Sequence, residues 1–231
     1  MRMPTLFISD LHLDVARPHI LDAFDRFIVG EAMRANALYI LGDLFEAWIG
    51  DDTDDEAGRR FITGMKPLRD ARIPCFFIHG NRDFLLGEDY ARRAGLTLLP
   101  DPAVITIGGR RTLLMHGDTL CTDDVAYQRF RALSHTPAWQ RSFLSRPRDE
   151  REAFARQARA ESRRYTTDVG NAALMDVSEV AVQAAMRAHG CLRLIHGHTH
   201  RPATHRFDLD GQPAERIVLG DWYEQESWLA V

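Results

Sequence analysis

The sequence predicts an α/β fold in which short buried strands alternate with amphipathic helices, with one long helical insertion. Three features carry that prediction. Apolar runs rich in strand formers recur at residues 5–8, 38–41, 75–78, 104–107, 112–115 and 192–195. Amphipathic helical patterns fill the first intervals between them. Residues 123–189 turn helical in period, with few strand signals. No repeat or low-complexity linker sets that stretch apart. It therefore reads as an insertion, 123–190, within one domain spanning 1–231.

Composition bounds the rest. The chain has 231 residues, 45% hydrophobic and 27% charged, ordinary for one domain with a sizeable core. No apolar run approaches the ~18 residues of a membrane span. Residues 1–5 lead into a strand-like segment without a signal-peptide pattern. Three widely spaced cysteines fit a reducing compartment, with Cys75 and Cys191 packed beside strands. The net charge is −4, yet residues 129–164 hold ten arginines against Asp149, Glu150, Glu152 and Glu161. A basic segment on a more acidic body suits an anionic surface or substrate; a solvated helix face is the plainer account. The acidic body argues against tracking a nucleic-acid backbone.

Taken in order, residues 5–8 form a first strand, followed by Asp10 and His12. Pro18 suits the first position of a helix whose apolar stripe is Ile20, Leu21, Phe24, Phe27 and Ile28. Residues 38–41 are fully apolar, as in a strand buried on both faces, and end at Gly42-Asp43. The acidic run 51–56 precedes a helix around Phe61, Ile62, Met65 and Leu68. A calcium loop fails there, because Glu56 stands where Gly is required and Ile62 where the bidentate Glu belongs. An acidic helix N-terminus is simpler. Residues 75–78 end at Asn81. Residues 104–107 and 112–115 pair as a hairpin through Gly108-Gly109 and end at His116. Residues 192–195 lead to His198 and His200. Asp210-Gly211 suits a type I′ turn between strands at 205–209 and 217–219, and 228–231 adds an edge strand.

The polar residues at these strand ends are all metal-ligand types. An isolated Asp43 would merely cap the next helix. Five junctions of the same kind point elsewhere, because open α/β sheets place ligands beyond the carboxyl ends of their strands. Alternation lets Asp10 and His12 converge, and likewise His198 and His200. If Asp43 is shared, two clusters result. One takes Asp10, His12, Asp43 and His200; the other takes Asp43, Asn81, His116 and His198. A carboxylate can bridge ions about 3.5–4 Å apart, the spacing used for phosphoryl chemistry. A donor set of oxygens and imidazoles without thiolate favours Mn²⁺ or Fe over structural Zn²⁺.

The series Asp10-x-His12, Gly42-Asp43, Gly80-Asn81-Arg82-Asp83, His116-Gly117-Asp118 and Gly197-His198-Thr199-His200 resembles the calcineurin-like metallophosphoesterase superfamily. Within it, the runs 7–13, 45–52, 79–85 and 115–118 with Cys121, and 198–202, resemble the branch that hydrolyses UDP-2,3-diacylglucosamine in lipid A synthesis. The likeness spans nearly the whole chain and is looser in the helical insertion. It implies a four-layer α/β/β/α sandwich with a helical cap and two Mn²⁺ ions per chain. It implies release of UMP and 2,3-diacylglucosamine 1-phosphate by hydroxide attack on the α-phosphorus. It also implies a peripheral position on the cytoplasmic face of the inner membrane, and it calls for no protein partner.

Many phosphodiesterases of the superfamily carry His after the metal-binding Asn, where it can protonate a leaving alkoxide. Here that residue is Arg82. A guanidinium keeps its protons but pairs with phosphate oxygens through parallel hydrogen bonds. A sugar phosphate leaves unprotonated far better than an alcohol, so Arg82 favours a diphosphate substrate. Asn81, Arg82 and His198 are expected to face the phosphoryl oxygens, with Asp43 the shared catalytic ligand. The resemblance places further substrate contacts at Asp124, Ser162 and Thr166, although the local pattern at Thr166 departs from the branch. Aromatic residues of the insertion, among them Tyr127, Phe130, Trp139, Phe143, Phe154 and Tyr165, either fill its own core or line a groove for acyl chains. Two other readings stand beside this one. One is a soluble dimetal phosphodiesterase for nucleotides; the other is a metal-free scaffold, which should have lost ligands that are all present here.

Overall fold

The computed structural model describes residues 3–53, 55–167 and 176–231; within the helix ending at Thr167, the side chains of 163 and 165–167 are outside that description. The strands β1 (Thr5–Ile8), β2 (Ala37–Leu41), β3 (Cys75–Ile78) and β4 (Leu96–Leu98) pair in parallel, and β10 (Leu229–Ala230) closes the other edge antiparallel to β1. The second sheet has the order β5-β6-β7-β9-β8, built from β5 (Ala103–Ile107), β6 (Arg110–Leu114), β7 (Arg193–His196), β8 (Ala203–Leu209) and β9 (Gln212–Val218).

Strand alternation decides what each sheet face meets. Leu6, Ile8, Leu38, Ile40, Cys75 and Phe77 point to α1 (Pro18–Val29), α2 (Glu56–Gly64), α3 (Lys66–Asp70) and α4 (Glu88–Ala94), burying Phe24, Phe27, Phe61 and Tyr90. Phe7, Leu41 and Ile78 point the other way and meet Leu114, Ile195 and Leu219 of the second sheet. On the far side, Leu113 and Leu194 pack against Val182 and Met186 of α8 (Glu179–His189). The result is helix, sheet, sheet, helix. Of the helices between 123 and 190, α8 thus covers the second sheet. Among the described residues, α5 (Val125–Ser134), α6 (Pro137–Leu144) and α7 (Arg148–Thr167) stand over the strand ends as a cap.

Several expectations change in detail. The single helix expected around 61–68 is two, α2 and α3. Pro67 lacks the N–H of a continuing helix, and its ring would meet the carbonyl four residues earlier. The acidic run is only partly a helix N-terminus. Asp55 caps α2 by accepting from Gly58 N at 2.6 Å. Asp51 instead accepts from Gly87 N and Tyr90 N, both at 2.9 Å, and from Trp48 Nε1 at 3.1 Å, so it holds the start of α4. Asp52 pairs with Arg151 of α7. Strand β4 and helix α4 had no sequence signal, being three and seven residues long. Asp210 and Gly211 both have positive φ, 56° and 80°, as a type I′ turn requires. The three cysteines are buried.

Replacing Asp51 by Ala strips acceptors from two backbone N–H groups and an indole. We expect a loss of about 2 kcal/mol, read as a fall of roughly 4–8 °C in melting temperature by calorimetry.

Candidate metal centre and cap cavity

The carboxyl ends of β1, β2 and β3 and those of β6 and β7 meet across the seam between the sheets. Backbone bonds set the loops in place: Asp10 N donates to Gly42 O at 3.1 Å, His12 N to Asp43 O at 2.9 Å, and Gly197 N to His116 O at 2.8 Å. Side chains lock them further. Asp10 Oδ2 accepts from His198 N at 2.9 Å, and Asp43 Oδ1 accepts from Arg82 N at 2.9 Å. Asp83, fully buried, accepts from Gly80 N at 2.8 Å and Leu44 N at 2.6 Å, joining the second and third loops.

Asp10, His12, Asp43, His198 and His200 all have positive φ, between 49° and 69°. This left-handed region is costly for residues with a Cβ and persists only where the surroundings enforce it, as at functional sites. Gly80 is required for a different reason: a Cβ there would collide with the Asp43 carboxylate and backbone.

The side chains form two clusters, Asp10, His12 and His200, and Asp43, His116 and His198, each with ligand atoms mutually within 4.8 Å. Asp43 splits its oxygens between them. Oδ2 lies 3.8 Å from His12 Nε2 and Oδ1 lies 3.6 Å from His116 Nε2. Asn81 Oδ1 is 3.0 Å from His116 Nε2, which places it with the second cluster. All seven residues singled out as ligands by the sequence are therefore together, and Asp43 is the link.

The electrostatics fit cations. Asp10, His12, Asp43 and His116 are buried. Burial weakens the His200 and His116 imidazolium forms, yet neighbouring carboxylates outweigh it. His200 is pushed up to about 10 by Asp10 and Asp221, and His116 to about 9 by Asp43, Asp118 and Asp10. Burial pulls His198 down to about 3 and His12 well below its usual value, and it raises Asp43. Two imidazole nitrogens, His12 Nε2 and His200 Nε2, face each other at 3.2 Å. Opposed nitrogens beside carboxylates suit divalent ions, and the donor set is oxygen and imidazole throughout.

Above the second cluster lies a cavity of about 640 Å³ under the cap. Asn81, Arg82, Asp124 and Ser162 line it with Phe84, Leu85, Tyr127, Phe130, Trp139, Phe143 and Phe154. Asp124 also caps α5, accepting from Tyr127 N at 2.9 Å. Ser162 faces the same cavity from α7. The Thr166 side chain lies outside the described residues. The aromatic residues do not form a core of the insertion's own: Phe143 is buried in the core of the first sheet, with Trp139 and Phe154 packed against it, and all three also line the cavity. His196 is structural, its Nδ1 2.8 Å from Gly197 O and its Nε2 3.2 Å from Arg216.

Sequence reasoning missed three residues. Asp118 is buried beside His116 and takes Tyr127 and Arg131 of α5. Asp221 lies 3.1 Å from His200 Nδ1. Its Gly220-Asp221 pair follows β9 as Gly42-Asp43 follows β2, a signal that was available. Glu46 faces His12 Nδ1 at 3.6 Å, with no spacing cue to mark it.

A calcineurin-like phosphoesterase family model matches residues 3–202 of the chain. The chain belongs to the calcineurin-like phosphoesterase family. It is 55% identical over 235 residues to a UDP-2,3-diacylglucosamine hydrolase of Stenotrophomonas maltophilia (strain R551-3), an alignment covering 99% of this chain and 95% of that protein. It is 52% identical over 229 residues to a UDP-2,3-diacylglucosamine hydrolase of Escherichia coli (strain K12), again covering 99% and 95%.

Replacing Asp43 by Ala removes the carboxylate shared by both clusters. Metal content by mass spectrometry should fall at both positions, and turnover by roughly 10³-fold or more, as when one member of a catalytic unit is lost.

Proposed function

We propose that the chain hydrolyses the diphosphate of UDP-2,3-diacylglucosamine, releasing UMP and 2,3-diacylglucosamine 1-phosphate, with a pair of Mn²⁺ ions. The observation that carries this reading is the shared wall of two features. Asn81 belongs to the second cluster and, with Arg82, lines the apolar cavity under the cap. A substrate joining a diphosphate to acyl chains would span that wall. High identity to two curated hydrolases of this substrate supports the same choice.

In this reading one site takes Asp10, His12, Asp43 and His200, and the other takes Asp43, Asn81, His116 and His198. A bound metal pair supplies a water of lowered pKa and positive charge beside the phosphoryl oxygens. Asn81 would offer its amide N–H₂ to those oxygens, and its Oδ1, beside His116 Nε2, would be among the atoms that hold the second ion. Arg82, with a buried Nε lacking a partner in the protein, keeps guanidinium N–H donors for the departing sugar phosphate. His198, held neutral by burial, lends an imidazole without adding charge. Asp124 and Ser162 meet the glucosamine end, and the ring-lined cavity excludes water around an acyl chain.

We further propose that the cap rests on the cytoplasmic face of the inner membrane. Val125, Phe130, Leu133 and Leu144 are exposed on it, as are Arg129, Arg141, Arg146 and Arg156. Exposed apolar side chains among arginines suit an anionic lipid surface. No helix among the described residues is long and apolar enough to cross a membrane.

The deciding assay is UMP release from UDP-2,3-diacylglucosamine in detergent micelles with Mn²⁺, abolished by chelator. Hydrolysis of bis-p-nitrophenyl phosphate without UMP release from the lipid would instead indicate a soluble nucleotide phosphodiesterase. Arg82→Lys should lower turnover on the order of 10²-fold, because an ammonium cannot make the paired contact. Leu133→Glu with Leu144→Glu should weaken sedimentation with anionic vesicles while leaving micellar UMP release intact.

A further inference from the structure

We propose that Glu46 is a positioning residue for the first metal site: it orients His12 through Nδ1–H and ties that imidazole to helix α7 of the cap. The inference rests on the assignment of His12 as a metal ligand, and it is tested by metal affinity, so it stands or falls apart from the choice of substrate.

The argument begins with the two nitrogens of His12. Nε2 faces His200 Nε2 at 3.2 Å and Asp43 Oδ2 at 3.8 Å, so Nε2 is the atom a cation would take. The proton of the neutral ring then sits on Nδ1. That atom is buried and has no hydrogen-bond partner. Glu46 Oε2 faces it at 3.6 Å, and a shift of about half an ångström makes a normal hydrogen bond. Ligand imidazoles almost always donate their second N–H in this way, which fixes the tautomer and ring orientation. The ring plane is already set, since Tyr223 stacks on His12 at 5.4 Å with 8° between planes. The edge contact is what remains for Glu46 to supply. The other imidazole of the cluster shows the same design, with Asp221 behind His200.

Glu46 is in turn held from two directions. Arg17 pairs with its Oε2 and donates to His12 O at 2.7 Å, binding it to the core. Arg159, on α7, pairs with its Oε1 and donates to its backbone carbonyl. Residues of α7, among them Ala158, Arg159 and Ser162, wall the cavity under the cap. Helix α7 is thereby joined to His12 through Arg159 and Glu46.

The experiment titrates metal-stripped full-length protein with Mn²⁺ by calorimetry, the first site being the step that His12→Gln removes. Glu46→Gln should weaken that step about 10- to 100-fold and leave the other within twofold. At saturating Mn²⁺ its kcat should return to near the wild-type value. Arg159→Met should weaken the same step several-fold. Asp52→Asn, which loosens α7 at its separate pair with Arg151, should change neither step. Wild-type affinity in Glu46→Gln, or equal loss at both steps, overturns the proposal. If metal-stripped Glu46→Gln does not fold, Arg159→Met, which keeps Glu46 and Arg17, decides: an unchanged first step overturns it.

Discussion

The Asp43 carboxylate is the point on which the molecule turns. It ends a strand buried on both faces, accepts from the backbone of the third loop and presents one oxygen to each cluster. Placing a buried acid there is unfavourable in isolation, and burial raises its pKa accordingly. The arrangement is stable only with positive charge nearby. The His116 imidazole and the Arg82 guanidinium offset part of that cost, and a divalent ion held by the ligand set would take the place of the imidazole's proton. Fold and chemistry share one requirement, since the side chain that most needs compensation is also the one that links the two clusters.

Around that point the loops are short and tightly determined. Left-handed backbone at five of the seven clustered residues is a strain the strands must hold. They hold it through cross-loop bonds, through Asp83 and through close approach at Gly80. The cap is attached by Phe143 in the core of the first sheet and, around the site, by polar and charged side chains. Arg131 and Tyr127 reach Asp118 behind His116, Arg159 reaches Glu46 behind His12, and Arg151 reaches Asp52. The arginine-rich segment is thus not simply a solvated face. Some of its cations bolt the cap to the core, while Arg129, Arg141, Arg146 and Arg156 remain outward.

Much of this was legible beforehand because buried strands are written in a short alphabet. Runs such as 38–41 and 75–78 announce both their burial and their ends, and the chemistry sits at those ends. The α/β class and the coming together of the seven residues followed from that. What escaped notice was short or relational. Strand β4 is too brief to have a period. Asp51 looked like one acid among several, and only the third dimension shows it holding α4. Glu46 acts on an imidazole 34 residues away in the chain with no spacing rule to connect the two, whereas Asp221, in a Gly-Asp pair after β9, carried a cue of its own. The insertion's division of labour was also hidden, since a helical period cannot say that α8 belongs to a sheet and α5 to a cap.

Each cluster draws on both halves of the sandwich. Asp10 and His12 need His200, 188 positions after His12, and Asp43 and Asn81 need His116 and His198. Neither sheet on its own presents more than part of a coordination sphere. A complete set of ligands therefore exists only where both layers have docked, and ion retention would be a sensitive gauge of whether the two have closed on each other.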